Sequence, residues 1–158
     1  MWGAALLAGV VVVALAFVLF EFGWLNEEAM GGDFLVSLSF AGLVVVALIV
    51  APIFETLMFQ WGLLLLVKML TRKIAKSDSW LPALLVTSLA FAAMHAGNAV
   101  DAGTVEGLAH VLFRIPVAFL LTLLAIVERH REVGYPVLGV MLLHSLNNLA
   151  PTLAIAFS

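Results

Sequence analysis

Uncharged apolar runs long enough to cross a bilayer restrict this chain more than any other feature. Ala4–Phe20 and Leu35–Val50 contain no Asp, Glu, Lys or Arg. Neither run alternates apolar with polar residues, so a transmembrane barrel does not fit. Helices remain as the way to satisfy every backbone N–H and C=O in hydrocarbon. The composition agrees: 65% of residues are hydrophobic and 11% are charged, against about 45–50% and about 25% in soluble domains. The expected fold class is therefore an all-α, polytopic helical membrane protein. The chain has no cysteine, which excludes disulfides and cysteine-ligated metals. Its net charge of −3 and seven basic residues exclude a nucleic-acid partner.

Segment lengths and loop charges predict a topology. The first apolar segment runs from Gly3 to Phe22. It has no basic residue before it and no small-residue cleavage site after it, so it reads as an uncleaved helix rather than a signal peptide. The stretch from Phe34 to Leu70 would be roughly 55 Å long as a helix, more than a ~30 Å core requires. Pro52, near its middle, either kinks one long helix or separates two elements. The loops at Arg72, Lys73 and Lys76 and at Arg129, His130 and Arg131 are basic, so both belong on the cytoplasmic side. Two crossings, Trp80–Gly97 and Gly107–Val127, separate them. The loops carrying Glu27, Glu28 and Asp33, and Asp101 and Glu106, lack basic residues and face out. An odd number of crossings must then lie within 34–70, which favours one long, kinked helix. A last segment, Tyr135–Phe157, contains Pro151 as a potential break. The expectation is five helices, an inside N-terminus and one domain over 1–158. A chain this short suits a prokaryotic cytoplasmic membrane. Trp2, Trp24 and Trp80 sit near segment ends as interfacial anchors.

Four polar side chains break the pattern. Glu55, His95, His144 and Asn148 lie inside these apolar stretches, where ionisable groups are costly and usually functional. Measured from the cytoplasmic helix ends at 1.5 Å per residue, they fall at depths of ~24, ~22, ~15 and ~21 Å. Residues from three helices thus share one layer, in a candidate core spanning 51–148.

Those residue types suit hydrolysis of a peptide bond. The reaction needs a local water, a base to activate it and donors for a developing oxyanion. Glu55 is the candidate base, with His95 beside it. His144 and Asn148 are four apart on one helix face, and both can donate hydrogen bonds. The same side chains offer an alternative, a zinc site of Glu55, His95 and His144 with an open position. No His-Glu-x-x-His motif accompanies it.

The segment Ala51-Pro52-Ile53-Phe54-Glu55-Thr56-Leu57-Met58-Phe59-Gln60 resembles the first motif of the CPBP family of CAAX-processing and bacteriocin-processing intramembrane proteases. Phe91-Ala92-Ala93-Met94-His95 resembles its second motif, and His144-Ser145-Leu146-Asn147-Asn148 its third. The resemblance implies a glutamate-type, metal-free endopeptidase. In it, Glu55 and His95 act on water while His144 and Asn148 hold the oxyanion. It also implies a peptide or protein tail presented at the bilayer as substrate. Thr56 and Gln60 stand where the family pattern has a second glutamate and an arginine. Lying four apart, they are expected to replace that ion pair with a neutral hydrogen-bonded one. Arg114 lies about 21 Å from the cytoplasmic end of its helix. It either snorkels outward or supplies the positive charge missing at Gln60.

The remaining polar and aromatic residues have plainer readings. Asn98 and Asn147 suit interhelical or loop hydrogen bonds, Phe59 and Phe91 core packing, and His110 and His130 the interface. Two other functions stay open. A catalytically silent relative would bind peptides or confer bacteriocin immunity, which the changes at Thr56 and Gln60 motivate. A proton- or ion-conducting subunit would use the buried glutamate and histidines.

Overall fold

The computed structural model describes Leu35, residues 37–95 and residues 104–157. The expected first helix, Gly3–Phe22, the acidic loop after it and Asn98 lie outside the described residues. Four helices follow: α1 Phe40–Ile74, α2 Leu81–Met94, α3 Thr104–Arg129 and α4 Pro136–Phe157. No strand occurs among the described residues. Three spans, Phe40–Ile74, Val111–Arg129 and Pro136–Phe157, are long and apolar enough to cross a bilayer. The chain is an integral membrane protein of all-α class.

The single-helix reading of 34–70 holds, with shifted ends and a different irregularity. Ser39 caps α1, its Oγ accepting from the Gly42 N–H at 3.3 Å, so the helix begins at Phe40 rather than Phe34. Pro52 does not split it. Two π-helical stretches instead, Val46–Val50 and Thr56–Leu63, flank a short α-helical segment, Ala51–Glu55. A proline removes the N–H that closes an α turn and crowds the carbonyl four residues before it. A π stretch next to Pro52 is one way to absorb that defect. Pro151 likewise sits within α4 without ending it.

The α2 helix is shorter than the predicted Trp80–Gly97 crossing. Its 14 residues span about 21 Å, less than a ~30 Å hydrocarbon core. It starts where Ser79 Oγ accepts from the Leu81 N–H at 3.1 Å, and His95 occupies its C-terminal cap. A helix that stops this early leaves its last side chain at membrane depth. Adjacent helices α2 and α3, and α3 and α4, pack together, while α1 lies along both α2 and α4.

Burial sorts residues as lipid requires. Phe54, Leu57, Met58 and Trp61 of α1 face outward. Leu64, Phe91, Leu121 and Val140 meet in the core with the fully buried Ala83, Ala118 and Ala125. These alanines let α2 and α3 approach closely, as small residues do between membrane helices. Both basic loops lie at one end of the bundle, as expected. Trp80 before α2 stacks edge-on against His130 after α3, with ring centroids 5.6 Å apart. Lys68 Nζ sits over the same indole at 4.9 Å and donates to the Asp78 carbonyl.

Candidate active site

Three helices deliver three side chains to one point. Glu55 ends the α-helical segment between the two π stretches of α1, His95 caps α2, and His144 lies inside α4. His144 Nε2 stands 3.3 Å from Glu55 Oε2, and His95 Nε2 stands 3.7 Å from the same oxygen. The shared layer inferred from sequence depth is thus a shared site. Neither contact has the alignment of a hydrogen bond. Catalytic contacts are often loose before substrate binds.

Local bonds orient the rings. His95 Nδ1–H donates to the Phe91 carbonyl at 2.8 Å. In the neutral ring this tautomer leaves Nε2 bare, as an acceptor facing Glu55. Phe91 is a pillar between the two imidazoles, with ring centroids 4.8 Å from His95 and 5.5 Å from His144. Phe59 meets Phe91 edge-on at 5.4 Å. The packing role read for both phenylalanines holds, and for Phe91 it extends to the site itself.

Glu55, His95, Arg114 and Asn148 line a cavity of about 150 Å3. A water occupies about 30 Å3 of liquid, so the space holds several waters or a strand of peptide backbone. Leu43, Val46 and Ala47 of α1 and Pro151 and Ile155 of α4 form apolar walls. His144 is buried behind Glu55 and is not part of the wall. Arg114 does not snorkel away. It lines the cavity together with Glu55.

Two expectations change. Thr56 and Gln60 are buried, yet neither side chain has a hydrogen-bond partner, so the neutral pair does not form. Both lie in the π-helical stretch Thr56–Leu63 and are buried there, each polar group left without a partner. Asn148 also does more than face the cavity. Its Nδ2 donates to the Ala47 carbonyl at 3.0 Å, and Ser145 Oγ donates to the Leu48 carbonyl at 2.7 Å. Sequence reading passed over Ser145. The signal was available, since Pro52 leaves carbonyls on α1 that need donors from elsewhere.

Glu55, His95 and His144 supply the donor types of a zinc site. Even so, no group of three such side chains among the described residues is arranged to hold a metal ion.

The membrane bundle thus brings a glutamate and two imidazoles together beside a cavity. A family profile described as type II CAAX prenyl endopeptidase Rce1-like matches residues 37–150, and the chain belongs to that family. This agrees with the resemblance carried by the three motifs. No curated protein and no solved structure matches the chain.

Proposed function

We propose that this protein is an intramembrane endopeptidase that hydrolyses a peptide bond of a membrane-presented peptide or protein tail. The convergence of His95 Nε2 and His144 Nε2 on Glu55 Oε2 carries the reading. Glu55, with His95, takes a proton from a cavity water as its oxygen attacks the scissile carbonyl carbon. The carbonyl oxygen becomes an oxyanion, to which the second Nδ2–H of Asn148 donates, while His144, behind Glu55, orients its carboxylate. The C–N bond then breaks, and the proton held at Glu55 and His95 passes to the leaving amine. The base and the donors are all side chains of this chain, so no metal is needed. Family membership favours a prenylated C-terminal tail as substrate.

The test is cleavage of a prenylated CAAX-type peptide by protein reconstituted in liposomes. Wild type should cleave, and Glu55→Ala and His144→Ala should each lose at least about a hundredfold, the usual scale of base catalysis. Retained cleavage in both variants would defeat the mechanism. A folded wild type that cleaves no such tail would favour a silent, peptide-binding relative, and proton flux through the liposomes would favour a conducting subunit.

A further inference from the structure

Two carbonyls of α1 have lost their ordinary partner, and α4 supplies replacements. Pro52 has no N–H. Pro52 stands in the α segment Ala51–Glu55, where an N–H would reach the carbonyl of Leu48, four residues back, while the change from π closure before it passes over the carbonyl of Ala47. Those are the carbonyls that receive Ser145 Oγ at 2.7 Å and Asn148 Nδ2 at 3.0 Å. The preceding carbonyl, Val46, is served within the helix by the Ala51 N–H. Ser145 and Asn148 lie three apart, hence on one face of α4. Ser145 Oγ also lies 2.9 Å from the Met141 carbonyl of its own helix, which fixes its rotamer toward α1.

We infer that Ser145 is a positioning residue for catalysis: it fastens α4 to the Leu48 carbonyl freed by Pro52 and so sets the separation of His144 from Glu55. Glu55 lies one turn beyond Pro52 on α1, and His144 immediately precedes Ser145 on α4. The clamp and the catalytic pair therefore share the same two backbones. The Leu48 carbonyl has no helical N–H to take, and a side-chain donor from the neighbouring helix takes that place. The arrangement converts a helix defect into a register mark between two crossings. Asn148 makes the second contact, but it also lines the cavity. Ser145, outside that wall, is the cleaner probe.

The inference rests on the hydrolase reading for its consequence and on geometry alone for its existence, and a double-mutant cycle separates the two. Ser145→Ala, Pro52→Ala and the double variant are compared in liposomes for thermal unfolding and for cleavage of the prenylated CAAX-type peptide. Alone, Ser145→Ala should lower kcat about tenfold with KM nearly unchanged, and should lower the melting temperature. Ser145→Thr, which keeps the hydroxyl, should restore both. With Pro52→Ala the new N–H serves the freed carbonyl, so adding Ser145→Ala should change neither quantity by more than about twofold. Equal losses in both backgrounds, or no loss in either, would overturn the clamp. Coupling in the melts without cleavage by wild type would keep the clamp and remove the hydrolase reading.

Discussion

His144 Nε2 approaches Glu55 Oε2 to 3.3 Å across the α1–α4 interface, and the two residues come from distant parts of the sequence. On both sides of Glu55, α1 departs from regular α geometry. Replacing Glu55 with glutamine keeps shape and burial and removes the base. Cleavage should fall at least about a hundredfold, while circular dichroism and melting stay close to wild type. A Glu55→Gln variant that still turned over at about a tenth of the normal rate would assign the base elsewhere.

Arg114 is expected to matter through charge. It lines the same cavity as Glu55, His95 and Asn148, on a helix carrying none of the three motifs. A guanidinium there would stabilise the anion that develops during the proposed attack. Arg114→Gln should therefore reduce kcat by roughly ten- to a hundredfold, a loss of about 1.4–2.7 kcal/mol of transition-state stabilisation. Arg114→Lys should recover part of it. Unchanged turnover in Arg114→Gln would reduce Arg114 to a solvating wall residue.

Metal dependence separates the two uses of the same three side chains. If Glu55 and His95 activate water unaided, prolonged EDTA treatment should leave the cleavage rate unchanged. Loss of activity on chelation, with recovery on adding zinc, would recast Glu55, His95 and His144 as ligands.

Much of this site was legible because lipid makes polar groups conspicuous. Glu55, His95, His144 and Asn148 stood out as costly residues in apolar segments, and counting helical rise placed them, with Arg114, at similar depths. What the count missed was departure from the α repeat. Pro52 signalled a disturbance but not its form, and only the structure shows π turns on both sides of it. The expected pairing of Thr56 with Gln60, within one of those stretches, does not form. Helix ends were also hard to read. Ser39 interrupts an apolar run inconspicuously, yet its hydroxyl starts α1. His95 was expected just inside a helix ending at Gly97, and α2 ends at its cap.

Gln60 offers a test of whether the altered first motif still contributes. Its amide is buried, and neither Oε1 nor Nε2 has a hydrogen-bond partner. A buried, unpaired polar group costs about 1–3 kcal/mol. Gln60→Met, of similar length, should raise stability by about 1 kcal/mol or more and leave cleavage within about twofold. Loss of cleavage in a well-folded Gln60→Met variant would give Gln60 a part in the chemistry.

The turn between α3 and α4 leads into the helix that carries His144, and it packs one glycine tightly against the end of α3. Glu128 is buried, and its Oε1 accepts from Arg131 Nη1 at 2.6 Å while Oε2 accepts from the Tyr135 N–H at 3.2 Å. Drawing the chain back onto the end of α3 brings Gly134 against the Glu128 backbone. A Cβ on Gly134 would lie 1.7 Å from the Glu128 carbonyl oxygen. Gly134→Ala must therefore move backbone, with an expected loss of about 1–3 kcal/mol, the cost of overpacking. Glu128→Ala strips both acceptors from the turn and should cost a similar amount. Thermal unfolding in detergent measures both. Because the turn feeds α4, Gly134→Ala should also depress kcat more than KM. A Gly134→Ala variant with wild-type melting and turnover would mean that this turn does not set the position of α4.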